Sequence, residues 1–125
     1  MPGIFSEQYQ NKHIPNRLIR EFNGWRFLIS HTKDATPNDL KDDIDPHKIM
    51  ESGRADVLLH GHTHIPEIIK EAGYIRINPG HLKNNDKRGY LPTYCVIGVS
   101  PDSLDVKIYL LKDRNLFLAQ KFPKK

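Results

Sequence analysis

The chain has 125 residues, 38% of them hydrophobic and 27% charged, proportions of an ordinary soluble fold with a single core rather than of a disordered or fibrous chain. Its formal charge of +4 is a mild attraction for phosphorylated substrates, and without basic residues interleaved with aromatics it does not describe a nucleic-acid surface. No apolar run approaches the roughly 20 residues of a membrane helix, the N-terminus lacks the pattern of a secretory signal, and Cys95 stands alone, so the expected protein is cytoplasmic and free of internal disulfides.

In chain order, residues 1–13 are polar and irregular and read as a loose lead-in. After Pro15 the pattern predicts a strand over 17–22, a two-residue turn at Asn23-Gly24, and a returning strand over 25–30 that ends at His31. Trp25 and Phe27 share one face of that strand and are expected in the core. The stretch from Thr32 to Asp43 is acidic, poor in apolar residues and interrupted by Pro37, an exposed loop of the kind that borders sites. Asp45-Pro46 is an N-cap followed by proline in the first helical position, so a helix is expected over 46–52 with Gly53 as its stop and His47 solvated.

A short, nearly continuous apolar strand follows over 55–59, of the type buried on both faces. Strand, helix and strand form a parallel unit whose two strands both end in histidine, at His31 and at His60 to His64, on the same carboxyl edge. Segments 67–70 and 74–77 flank Gly73 as a hairpin, Asn78-Pro79-Gly80 breaks it, and residues 81–92 form a basic loop containing Lys83, Lys87 and Arg88. A last hairpin joins 93–99 to 104–111 around Ser100-Pro101-Asp102-Ser103, leaving a basic tail at Lys121 to Lys125. Cys95 sits in the apolar run of the first of these strands as a small buried residue.

The chain is organised around Leu58-Leu59-His60-Gly61-His62-Thr63-His64-Ile65-Pro66. Alternate residues of an extended segment point the same way, so His60, His62 and His64 are expected to share a side, with Gly61 letting the chain bend so that the rings converge. With His31 at the neighbouring strand end, His31, His62 and His64 make a candidate metal-ligand set. Neutral imidazoles leave coordination positions open for a water and a phosphoryl oxygen. Asp34, Asp42, Asp43 and Asp45 read as solvated or capping charges rather than ligands.

Phe27 to His31, then Ala55 to Pro66, then Ile77-Asn78-Pro79-Gly80 resemble the C-terminal part of the calcineurin-like metallophosphoesterases, closest to the small prokaryotic phosphodiesterases. The resemblance runs from about Ile14 to Ile97. It implies a mixed α/β fold, part of a two-sheet β-sandwich flanked by helices. It also implies a centre of two divalent ions, manganese first, with nickel, iron or zinc as alternatives, that activate a hydroxide for attack on a phosphodiester. By the same resemblance His31 and His62 match ligands of the second ion and His64 a ligand of the first. Asn78-Pro79-Gly80 matches the turn behind the site. His60, Gly61, Thr63, Asn78 and His81 take supporting places.

The family begins with D-x-H, G-D and G-N-H/C-D segments, and none of these precedes His31; Thr32 replaces the usual glycine and His81 the usual serine. The expectation is therefore one incomplete domain over 1–125, hydrolysing phosphodiesters when an upstream segment or a complementary chain supplies the other ligands. Two alternatives stay open: a non-catalytic protein-binding scaffold on the same fold, able to self-associate, and a chain holding one structural ion.

Overall fold

The structure, a computed structural model, describes residues 2–83 and 89–124; Lys87, Arg88 and Lys125, counted above among the basic residues, lie outside the described residues. Five strands lie edge to edge: β1 (Arg17–Phe22), β2 (Trp25–Ser30), β3 (Val57–Leu59), β4 (Glu67–Lys70) and β5 (Ile75–Asn78), in the order β1-β2-β3-β5-β4. β2 and β3 are parallel and joined through α1 (Pro46–Glu51); β3 and β5 are also parallel, while β1–β2 and β4–β5 are antiparallel pairs. A second, antiparallel sheet runs β6 (Thr93–Val99), β7 (Ser103–Leu110) and β8 (Leu116–Pro123).

Period-2 alternation explains the layering. Val57 faces one way and joins Trp25, Phe27, Ile75 and Ile77, packed against Leu104, Val106 and Phe122 of the second sheet. Leu58 faces the other way and joins Leu28, Ile49, Met50 and Ala55 under α1. The centre of the large sheet is thus covered on both sides, as a continuous apolar run requires. The helix is set by its ends: Asp45 accepts from the His47 and Lys48 N–H groups, Pro46 opens the first turn, and Gly53 follows with φ +73°. His47 is exposed and paired with Glu51 at 3.0 Å.

Two segments differ from the sequence expectation. The C-terminal tail is an eight-residue strand, β8, paired with β7 in antiparallel register, with an irregularity at Ile108/Tyr109. Its pattern concealed it, because Leu116, Phe117 and Leu118 are exposed and Phe122 is the buried residue of the strand. The lead-in is also anchored. A 3₁₀ turn, Glu7–Gln10, capped by Ser6, buries Tyr9 to 1% exposure. The Tyr9 hydroxyl donates to Asp39, and Arg17 reaches both. Among the described residues no helix is long and apolar enough to cross a membrane.

Candidate metal centre

Backbone hydrogen bonds join three strand ends into one rim. The Gly61 N–H donates to His31 O (3.0 Å), and the His60 N–H donates to Ile77 O (3.0 Å). Across this rim His31 and His62 meet edge-on, ring centroids 5.0 Å apart and planes 72° apart, with His31 Nε2 and His62 Nδ1 separated by 3.1 Å. The parallel β2–β3 pairing thus brings together histidines 31 residues apart in sequence.

The backbone achieves this differently from the expected extended register. His62 (φ +67°) and His64 (φ +65°) occupy the left-handed region, whereas Gly61 does not. The Thr63 N–H donates back to Gly61 O at 2.8 Å, closing a three-residue turn around His62 whose positive central φ belongs to the rarer, strained γ-turn. Each non-glycine residue held there costs about 1–3 kcal/mol, and such strain collects at functional sites because neighbouring contacts over-determine it.

Those contacts come from Asn78, which is fully buried. Its Nδ2 donates to Thr63 Oγ1 (2.9 Å) and Gly61 O (3.3 Å), and its Oδ1 accepts from the Gly80 N–H (2.9 Å). The Asn-Pro-Gly turn therefore lies behind the histidine turn and clamps it. His64 lies against His81, ring centroids 5.3 Å apart and planes tilted by 35°. His81 Nδ1 accepts from the Lys83 N–H (3.0 Å), so its proton resides on Nε2, which donates to Tyr90 O (2.6 Å). Both nitrogens of His81 thus have partners in the 81–92 loop, and its ring meets the His64 ring. His60 is 3% exposed; Nδ1 faces Gly61 O at 3.3 Å while buried Nε2 has no partner among the described residues. Burial, the largest effect, pushes its proton affinity down and makes His60 a neutral packing residue.

Burial also lowers the pKa of His31, reinforced by His62 and His64 nearby, so His31 keeps an unprotonated nitrogen at neutral pH. Its surroundings are tightly built. Ser30 Oγ donates to Thr32 O (2.5 Å), Arg17 donates to Ser30 Oγ (2.8 Å) and Thr32 Oγ1 (3.1 Å), and the backbone at Gly3 passes so close that a Cβ there would stand 3.6 Å from His31 Nε2. Sequence reasoning missed Ser30, Thr32 and Arg17, because no local pattern links a strand's first residue to its partner's last.

The pair fits a cation. Two imidazole nitrogens about 2.1 Å from one ion, subtending about 90–110°, stand about 3.0–3.4 Å apart, and the observed separation of 3.1 Å falls within that interval. The fit extends to two ligands. Among the described residues no group of three or more His, Cys, Asp or Glu side chains is arranged to hold an ion.

Comparison with known proteins agrees with the fold. The calcineurin-like phosphoesterase superfamily domain matches residues 5–102. A probable metallophosphoesterase of Mycoplasma pneumoniae is 36% identical over 84 residues, covering 64% of this chain and 51% of that protein. A predicted phosphoesterase of Streptococcus pneumoniae superposes with TM-score 0.65 at 16% identity, over 89% of this chain and 63% of the other. Vps29 of Entamoeba histolytica, complexed with zinc, superposes with TM-score 0.63 at 17% identity, over 86% of this chain and 60% of the other. The two structures share the fold, and the chain spans about half the length of the curated relative, 51% of it.

Proposed function

Taking as premise that the chain belongs to the calcineurin-like phosphoesterase superfamily, we propose that it carries the histidine half of a metal-dependent phosphodiesterase centre. His31 and His62 hold one divalent ion, manganese in first place, and His64 contributes to a second once carboxylate ligands arrive from an upstream segment or a partner chain. The observation that carries this reading is the 3.1 Å approach of His31 Nε2 to His62 Nδ1 at the carboxyl edge of two parallel strands. A bound divalent ion supplies a Lewis acid that polarises a phosphoryl oxygen and acidifies water. The chain's own residues do the positioning. Asn78 and Thr63 fix the His62 turn, and Arg17, through Ser30 and Thr32, fixes the backbone around His31.

Calorimetric titration of the chain with manganese and with zinc tests the reading. Saturable binding is expected, weakened tenfold or more in His62→Ala and His31→Ala. Absence of saturable binding in the parent chain, or binding unchanged in both variants, overturns it.

A second reading, a protein-binding scaffold, is favoured by β8, an edge strand exposing Leu116, Phe117 and Leu118 in sequence. Uncovered apolar edges pair with other chains. In that case sedimentation shows concentration-dependent association that Phe117→Lys suppresses and chelator leaves intact. A monomer at all concentrations removes this reading.

A further inference from the structure

A cavity of about 220 Å³ adjoins the histidine turn. His62 and Thr63 form one wall, and Ile4, Ala35 and Thr36 stand among the others. Resting on the reading of His31 and His62 as a phosphoesterase centre, we propose that this cavity receives one organic substituent of the substrate, a compact uncharged six-membered ring, while the phosphoryl group stands at the histidine pair.

Size, polarity and placement argue together. Drug-sized ligand sites begin at about 300 Å³, and an apolar hole of about 150 Å³ already admits benzene. A space of about 220 Å³, open to solvent on one side, therefore has room for a single ring. Ile4 and Ala35 present hydrocarbon. The Thr32 and Thr36 hydroxyls beside them are committed inside the protein: Thr32 Oγ1 donates to Asp34 O (2.7 Å) and accepts from Arg17 (3.1 Å), and Thr36 Oγ1 donates to Asp39 Oδ1 (2.9 Å) and accepts from the Asn38 N–H (3.2 Å). Thr63 Oγ1 accepts from Asn78 Nδ2 (2.9 Å) and the Ile65 N–H (3.3 Å), which leaves its O–H as a single donor. Lys33 and Asp34, neighbours of opposite charge on the same lining, leave no net charge to select an ionic group. Recognition rests mainly on shape and apolar contact.

The walls are fastened to one another. Asn38 Nδ2 donates to Ile4 O (3.0 Å) and the Ser6 N–H to Gly3 O (2.9 Å), so the segment bearing Ile4 is fastened to the 32–45 loop. The same segment passes His31 at Gly3, where a built Cβ would stand 3.6 Å from His31 Nε2, and the wall residue Ile4 is the next residue along it. A phosphoryl group at the histidines therefore directs an ester substituent into the cavity at short reach.

The test compares methylphosphonate and phenylphosphonate, by calorimetry on the manganese-loaded full chain and by amide NMR shifts on the chain loaded with diamagnetic zinc. Phenylphosphonate is expected to bind roughly tenfold or more tightly than methylphosphonate, from the apolar area its ring buries. Its added shifts should concentrate at Ala35, Thr36 and Thr63. Ala35→Trp, which fills the space from an exposed loop position, should bring the affinity ratio of the two probes close to one. Equal affinities in the parent chain, or a ratio unchanged by Ala35→Trp, overturn the cavity assignment and leave the metal reading standing. Phenylphosphonate shifts at Ala35 and Thr63 that persist identically in chelator, with no manganese effect on either probe, uphold the cavity and overturn the metal reading. No shift at these amides with either probe overturns the cavity assignment outright.

Discussion

Replacing Arg17 by methionine should destabilise the fold by about 3–5 kcal/mol, the loss that follows when one partner of a buried ion pair is removed and the other stays in place. The Arg17 side chain is 1% exposed and pairs with Asp39, itself 13% exposed, at 2.8 Å. Its guanidinium spreads donors over Ser30 Oγ, Thr32 Oγ1, Ile44 O and the Tyr9 oxygen as well. A planar fork of five donors suits this place, and a lysine would serve one or two of these acceptors. Methionine keeps the stem's volume and removes every donor, leaving the Asp39 carboxylate without its cation. Urea unfolding should show the midpoint falling with the slope retained. Asp39→Asn in the same chain should recover part of the loss, because the stranded charge is then gone. A change below about 1 kcal/mol for the single variant would show that water serves these acceptors as well as Arg17 does.

The same network sets an acid response. Burial alone would raise the Asp39 pKa, but hydrogen bonds from Arg17, Tyr9 and Thr36 outweigh it and hold the carboxyl at about 2, against an ordinary 3.8. Asp39 thus binds its proton more weakly folded than unfolded. It contributes roughly 2 kcal/mol above pH 4, and this is lost as pH falls from about 4 towards 2. Asp39→Asn should flatten that part of the stability curve, measured by urea midpoints at successive pH values.

How much of this was legible in the sequence follows from how local each feature is. β2 and β3 could be read because Trp25 and Phe27 alternate and Val57-Leu58-Leu59 runs apolar, and each ends at a histidine with a parallel crossover between. The meeting of His31 and His62 followed from topology alone. The local geometry did not. Gly61 is the residue expected to take a left-handed angle, yet His62 and His64 take it, because Asn78 clamps the turn from a strand whose approach no neighbouring residue announces. Tyr9 and Asp39 lie in segments that read as a loose lead-in and an exposed acidic loop; both are drawn in by Arg17, 8 and 22 positions away respectively. β8 escaped for the opposite reason, an apolar triplet on an exposed edge that offers no inside-outside alternation.

Gly80→Ala should cost about 2–5 kcal/mol and loosen the proposed metal centre with it. Gly80 has φ +91°, where any Cβ is strained, and a Cβ built there would stand 1.9 Å from Thr93 Oγ1 and 3.3 Å from Pro66 Cβ. Thr93 has no easy retreat: it is 3% exposed, its hydroxyl donates to Pro79 O (2.6 Å) and its N–H to His81 O (3.0 Å). The strain is about 1–2 kcal/mol, and breaking a buried hydroxyl hydrogen bond adds about 1–3 kcal/mol. Gly53 separates the two terms, since it has φ +73° with nothing within 4 Å of a built Cβ, so Gly53→Ala should cost the strain alone. Removing the clashing oxygen with Thr93→Ala should make Gly80→Ala less costly than in the parent chain, a coupling of about 1 kcal/mol or more in a double-mutant cycle. The functional consequence runs through Asn78. The Gly80 N–H holds Asn78 Oδ1, and that orientation sends Nδ2 to Gly61 O and Thr63 Oγ1 around His62. Displacing Gly80 frees the amide to turn, and the strained angle at His62 loses the contact that sustains it. Manganese affinity should therefore fall in Gly80→Ala at temperatures where the chain is still folded, while Gly53→Ala leaves it unchanged. Equal manganese affinity in the two variants would show that the histidine turn holds its shape without the Asn-Pro-Gly clamp.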